Sequence, residues 1–523
     1  MAQRYPLIIR LLPKRKKNLW KLVFSRLLLI LFLLFVQLLI LMAGYRWLTQ
    51  YRTVYNVFRV TFTVGMVVYL FNCDMDYAAK LTWLAILSLF PIPGAILLWY
   101  TMNDIGHRTI MARVYQMIYD SKNKIRQNPA VLSRRELILS GTDDLCRYVN
   151  RSGCFPIYKN TEVTYFPSGE DKYEALLTEL RKAKRFIFLE YFILGEGLMW
   201  GSILSILKEK ADEGVDVRVM YDGMCEMSSL SFDYPDRMKK LGIRCKDFAP
   251  IRPVISTHYN YRDHRKILVI DNKVAFNGGI NLSDEYINRV RRFGHWKDTA
   301  VMLKGEAVSS FTLMFLQMWN ITERLPEWDR FLAIPSDPVQ ARGYVMPYGD
   351  VPMDGDKVGE NVYLDILYRA KTYVHIMTPY LILDGEMESA LKYAAMRGVD
   401  VKIILPGIPD KPYAYAIAKT YYKTLTEAGV KIYEYKPGFV HAKVFVSDSC
   451  KAVVGSVNLD YRSLYHHFEC ATYLYKTDCI PDIERDFQRT LRLCRTVTPV
   501  SIRNEKFRYK ILGGIMRIVA PLL

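Results

Sequence analysis

The chain has 523 residues, 51% of them hydrophobic and 24% charged, a length that excludes a single small packing unit and leads us to expect two or more domains. Lysine and arginine outnumber aspartate and glutamate 72 to 53, for a formal charge of +19, which points to polyanionic partners such as nucleic acid or an anionic lipid surface. The 9 cysteines include no CxxC pair, which argues against a zinc-ligand pattern and makes them free thiols facing a reducing compartment.

The N-terminal fifth is built differently from the rest. Leu27 to Gly44 reads LLLILFLLFVQLLILMAG, without a charge, long enough to span a bilayer and too long for a cleaved signal peptide. A second apolar run, Val54 to Phe71, contains Arg59, and a third, Leu81 to Tyr100, contains Pro91 and Pro93. Residues 1–110 are therefore expected to form a membrane region with two or three transmembrane helices. Basic clusters flank it on both sides, Lys14 to Arg26 before and Arg108 to Arg126 after, while the loop Asn72 to Lys80 carries Asp74 and Asp76. The positive-inside rule then favours a multi-pass cell-membrane protein with its bulk in the cytoplasm.

Residues 111–154 read as a linker helix region. Beyond 155, apolar strand-like runs alternate with amphipathic helical stretches, the pattern of α/β layers, and the pattern repeats. LKEKADEGVDVRVMYDG from Leu207 matches LKYAAMRGVDVKIILPG from Leu391, and FLEYFIL from Phe188 has a weaker counterpart in IMTPYLIL from Ile376. DHRKILVIDNKVAFNGGIN from Asp263 aligns without a gap to VHAKVFVSDSCKAVVGSVN from Val440. Two copies of one fold unit follow, lobe 1 over 155–333 and lobe 2 over 360–500. A connector rich in proline, glycine and aspartate joins them over 334–359, and an amphipathic tail over 501–523 ends the chain.

Each copy carries His, one residue, Lys, four residues, Asp, then a glycine pair or Gly-Ser and an asparagine. In the first these are His264, Lys266, Asp271, Gly278, Gly279 and Asn281; in the second His441, Lys443, Asp448, Gly455, Ser456 and Asn458. Read as strands, the segments place histidine and lysine on one face and the motif aspartate on the other, which suggests a supporting role for Asp271 and Asp448. Two histidines brought together can divide nucleophilic and proton-transfer work near neutral pH. Lysine and asparagine donors suit a phosphoryl oxyanion, with no metal or other cofactor required. Asp298 in WKDTAVML and Glu469 in HHFECATYL stand at similar strand starts, where either would hold an imidazole in its productive tautomer.

The paired HRKILVID and HAKVFVSD blocks, with GGIN and GSVN behind them, resemble the two HxKxxxxD motifs of the phospholipase D superfamily. The longer matches and the segment FPIPGAILLWY resemble its bacterial cardiolipin synthase family over nearly the whole chain. The resemblance implies one bilobal α/β body with a single active site between the lobes. There one histidine, His264, attacks the phosphorus of phosphatidylglycerol, and the other, His441, serves as acid and then base. Lys266, Lys443, Asn281 and Asn458 hold the phosphate oxygens, Ser456, Gly279, Asp298 and Glu469 support the site, and Asp271 and Asp448 are marked with it. Where this family places asparagine before Phe-Glu, the chain has His467. The implied partners are phosphatidylglycerol and an anionic membrane, not nucleic acid. Hydrolysis by water is the alternative reaction, and a non-catalytic membrane scaffold the alternative of another class.

Overall fold

The computed structural model describes residues 8–11, 39, 52–103, 108–250, 261–352 and 355–522. The described residues fall into two compact units: the smaller takes those within Lys14–Arg108 and Arg517–Leu523, the larger those within Met1–Pro13, Thr109–Ile251 and His258–Met516.

In the smaller unit the first apolar run lies, apart from Leu39, outside the described residues. The second forms the helix Arg52–Asn72. The third, expected as one span, is instead two helices of 13 residues, Tyr77–Leu89 and Pro91–Asn103. Proline has no N–H to continue a helix and biases the residue before it away from helical geometry, and Phe90 accordingly sits at φ −134°, ψ 73°. Pro91 then opens the next helix, where its missing donor costs nothing. Leu70, Trp83, Leu87 and Leu98 bury together, with Met66 and Leu522 against them. No helix among the described residues is long and apolar enough to cross a membrane.

The larger unit holds two large sheets and one of two strands. The first lobe contributes, in chain order, β1 (Thr161–Phe166), β2 (Phe186–Tyr191), β3 (Asp216–Asp222), β4 (Arg244–Phe248), β5 (Arg262–Asp263), β6 (Lys266–Ile270), β7 (Val274–Gly278), β8 (His295–Lys297) and β9 (Ala300–Gly305). The second contributes β10 (Tyr344–Asp350), β11 (Tyr373–Met377), β12 (Asp400–Pro406), β13 (Lys431–Tyr435), β14 (Gly438–Val440), β15 (Val444–Ser447), β16 (Lys451–Gly455), β17 (His467–Tyr475) and β18 (Cys494–Thr496). One sheet runs β1-β9-β7-β6-β2-β3-β4 and the other β10-β17-β16-β15-β11-β12-β13-β18. Apart from β18 the orders correspond strand for strand, so the α/β repeat read from the sequence is a repeat of topology. The stretch expected as a connector is partly structural, since it supplies β10, which pairs antiparallel with β17.

The strands explain the layers. In β2 (FIFLEY) and β6 (KILVI) every residue is buried, so neither face can be left wet and helices must cover both. Leu189 faces the core shared with Trp200, Ile203 and Leu207 of the helix Leu198–Asp212. Phe188, one residue earlier, stacks on Phe315 of the helix Val308–Trp319 with ring centroids 4.3 Å apart. In both copies the glycine of GVDV takes a left-handed φ, 87° at Gly214 and 95° at Gly398, a conformation that ends the helix before the strand. In the tail, Gly513 lets the helix Phe507–Val519 approach the helix Pro412–Glu427: a Cβ there would stand 2.4 Å from the Ala416 carbonyl oxygen.

Asp271 and Asp448 belong to this framework. The Asp271 carboxylate accepts the backbone N–H groups of Lys184, Arg185 and Phe186, each at 2.8 Å, and so clamps the turn after β6 to the entry of β2. Asp448 takes Lys371, Thr372 and Tyr373 in the same way. Burial pushes its carboxyl up, but the Thr372 hydroxyl and these amides outweigh that and hold it below its ordinary value. Each aspartate starts a pair of left-handed residues, Asp271-Asn272 and Asp448-Ser449. Asp271→Ala is expected to cost on the order of 3 kcal/mol of unfolding free energy by stranding buried N–H donors. The urea midpoint measures this, and a change below about 0.5 kcal/mol would refute the clamp.

Candidate active site

The two histidines lie just ahead of strands, not within them. His264 stands between β5 and β6, and His441 follows β14, with β15 starting at Val444. The expectation of one continuous strand through HAKVFVSD is therefore corrected. The reason is that the residues before each histidine pair with the other lobe. β5 runs parallel to β17, with Asp263 opposite Phe468, and β14 runs parallel to β8, with Val440 opposite Lys297. The next backbone step extends both ladders: His264 N–H donates to the Phe468 carbonyl at 2.9 Å and His441 N–H to the Lys297 carbonyl at 2.7 Å.

This register sets each imidazole beside a carboxylate of the opposite lobe. His264 Nδ1 lies 2.8 and 3.0 Å from the two Glu469 oxygens, and His441 Nδ1 lies 2.7 Å from Asp298 Oδ2. With a carboxylate at Nδ1, the favoured tautomer carries its proton there and leaves the Nε2 lone pair free. Both carboxylates are fully buried. The sequence marked Asp298 and Glu469 as candidates but gave no sign that they exchange lobes.

The remaining motif residues cluster here with different tasks. Lys266 and Lys443 each donate from Nζ to the carbonyl of the histidine two residues earlier, leaving two N–H groups apiece for a ligand. Asn281 accepts from Ile193 N–H and donates to Tyr286 Oη at 2.7 Å. Asn458 donates to Ser463 Oγ at 3.0 Å, while its Oδ1 is buried without a partner. Gly279 and Ser456 are equivalent by repeat and differ for a visible reason. A Cβ at 279 would stand 2.2 Å from Asp298 Oδ1, whereas the Ser456 hydroxyl donates to Glu469.

Burial dominates the electrostatics. It pushes the His441 imidazole down to about 4, with Lys443 acting in the same direction against Asp298, and drives His264 well below its ordinary value, helped by Lys266 and the neighbouring histidines. It also lowers Lys266 to about 8 and Lys443 to about 7. The two carboxyls part company. Burial raises both, but at Asp298 the His441 imidazole and Lys443 reverse it and keep the group low, while at Glu469 burial prevails and the group rises well above its ordinary value. Lys172 escaped the sequence reading, and His467 stood out there only as a departure from the family pattern. Lys172, wholly buried on the helix Gly169–Leu180, donates to the Ile280 carbonyl at 3.1 Å, and burial lowers it to about 7. His467 lies against His264 with ring centroids 5.3 Å apart. Lys172 had no motif partner to mark it.

A closed pair of imidazoles, each backed by a carboxylate, beside amines that no carboxylate neutralises directly, suits in-line displacement at a phosphodiester. The chain matches the family described as "Cardiolipin synthase, PLD-like domain" over residues 176–319 and 363–491. It is 34% identical over 453 residues to a cardiolipin synthase of Geobacillus kaustophilus, covering 85% of this chain and 89% of that one. It is 33% identical over 476 residues to cardiolipin synthase 2 of Bacillus cereus, covering 88% and 90%. An uncharacterised protein of Streptococcus mutans is 58% identical over 460 residues, 88% of this chain and 100% of its own. Among solved structures, the phosphatidylserine synthase of Haemophilus influenzae shares the fold at a TM-score of 0.56 and 14% identity, covering 73% of this chain and 98% of that one.

Proposed function

The chain belongs to the cardiolipin synthase family of phospholipase D-like proteins and is a phospholipid phosphatidyltransferase, and from that premise we propose that it joins two phosphatidylglycerol molecules into cardiolipin with release of glycerol. In this reading His441 takes up a proton at Nε2 as the anionic phosphate settles beside it, and then gives that proton to the departing glycerol oxygen while His264 Nε2 attacks the phosphorus of the first phosphatidylglycerol. The phosphatidyl group is then held as a phosphoramidate on His264. His441, now neutral, takes the hydroxyl proton of the second phosphatidylglycerol as that oxygen attacks phosphorus and the His264 bond breaks.

The observation that carries this is the reciprocal pairing. The Asp298 carboxylate, kept ionised beside His441, is suited to stabilise the imidazolium that an acid/base catalyst must form. His264, with a carboxyl that burial makes less acidic, is suited to stay neutral as a nucleophile. The spare N–H groups of Lys266, Lys443, Asn281 and Asn458 hold the phosphate oxygens, with Gly279 and Ser456 shaping the carboxylate pockets. Asp271 and Asp448 position the strands.

We place the enzyme in the bacterial cell membrane as a multi-pass protein with its catalytic body in the cytoplasm, working on an anionic lipid surface. The charge of +19 and the uncharged Leu27–Gly44 run support this, as do Val54, Val57, Phe58, Val60, Val64 and Val68, all exposed on the helix Arg52–Asn72. The test is incubation of purified full-length protein with phosphatidylglycerol vesicles and analysis of the lipid products. Cardiolipin and glycerol in equal amounts are expected; phosphatidic acid without cardiolipin would make it a hydrolase.

A further inference from the structure

We propose that His467, His264 and Glu469 form a binding site for a divalent transition-metal cation of the zinc class, and that filling it switches the transfer reaction off. The starting point is His467. Its side chain is buried, yet neither Nδ1 nor Nε2 makes a hydrogen bond. A buried polar group left unpaired costs about 1–3 kcal/mol, so histidines that serve only to pack nearly always find a partner for one nitrogen.

The surroundings name the ligand. His467 Nδ1 lies 3.8 Å from Glu469 Oε1, and Glu469 lies 2.8 to 3.0 Å from His264 Nδ1. One donor atom from each of the three residues lies within 4.8 Å of the others. Metal–ligand bonds of about 2.0–2.2 Å in a tetrahedron place donor atoms about 3.3 Å apart, and the separations of 2.8, 3.0 and 3.8 Å lie on either side of that. Two imidazoles and a carboxylate with a fourth position open are a zinc donor set. A carboxylate this close to His467 argues for a cation over a phosphate oxygen. Arg262, Arg462, Lys266 and His466 are the positive groups around it, so selectivity rests on ligand bonds and not on net charge.

The switching part rests on His264 being the nucleophile. A metal takes the Nδ1 lone pair, so the proton that Nδ1 offered to Glu469 moves to Nε2. The nitrogen facing phosphorus then carries N–H and has no lone pair with which to attack. The site spans both lobes, since His264 comes from one and Glu469 and His467 from the other.

Full-length protein, stripped with EDTA and dialysed, is titrated with Zn²⁺ against a chromophoric chelator and with Co²⁺ by visible absorption. One Zn²⁺ per chain with tetrahedral cobalt bands is expected, and His467→Asn and His264→Asn, which alter different lobes, should each weaken binding about tenfold or more. In the lipid assay Zn²⁺ should abolish cardiolipin formation reversibly, and His467→Asn should shift the half-inhibiting concentration by a similar factor relative to its own metal-free rate. Absence of stoichiometric binding, or binding indifferent to both variants, overturns the site. Binding without inhibition overturns the switch. A metal-free protein that makes no cardiolipin counts against the transfer reading instead, and the cobalt spectrum then decides the site.

Discussion

Given a p-nitrophenyl phosphodiester, His441→Ala protein is expected to release one equivalent of p-nitrophenolate and then stall, while His264→Ala protein releases none. The leaving group departs without a proton, so the first displacement needs only a nucleophile. The second step still needs a base for the incoming alcohol, and His441 supplies it. On phosphatidylglycerol, whose glycerol must be protonated to leave, either substitution should lower turnover on the order of 10⁴-fold or more. Removing His441 also leaves the Asp298 carboxylate buried beside an empty site, and a stranded buried charge costs about 3–5 kcal/mol. His441→Gln, which keeps an N–H donor, is therefore compared beside the alanine protein, with thermal melting of both. A burst from His264→Ala protein would reverse the assignment.

The second large effect is at the carboxylates, and it is crossed. Asp298→Asn should reduce turnover about 10⁴-fold, because an amide N–H presented to His441 Nδ1 selects the wrong tautomer. Glu469→Gln should cost nearer 10²-fold, since the native carboxyl is already raised by burial and held by Ser456, and glutamine retains an accepting oxygen for His264. With the activated diester the order inverts: Asp298→Asn keeps the burst and Glu469→Gln slows it. If each acid served the histidine of its own lobe, these two signatures would trade places.

How much of this was legible follows from what is local. The motif spacing, the gap-free repeat and the β/α alternation depend on neighbours in sequence, and they located His264, Lys266, His441 and Lys443 and the two-lobed body. The exchange of Asp298 and Glu469 was hidden, because it depends on β5 and β14 leaving their own lobes to pair with β17 and β8, and two- and three-residue strands have no period to read. Asp271 and Asp448 share motif spacing with the histidines and strand parity pointed to a supporting role, but the backbone amides they clamp lie 75 to 87 residues away and could not be read from spacing. Lys172 carried no pattern at all, and His467 stood out only against the family's asparagine. The third apolar run kept its hydropathy and lost its continuity to one proline.

The exchanged acids have a consequence for how far the two halves can vary. Each lobe carries a histidine whose orienting acid comes from the other lobe, so the site is complete only where the two lobes meet, as two copies would across a two-fold axis. Joined in one chain, the two halves are free to differ where a homodimer must change both of its sites together. Gly279 against Ser456, and Asp298 against Glu469, are repeat-equivalent positions at which the two halves do differ.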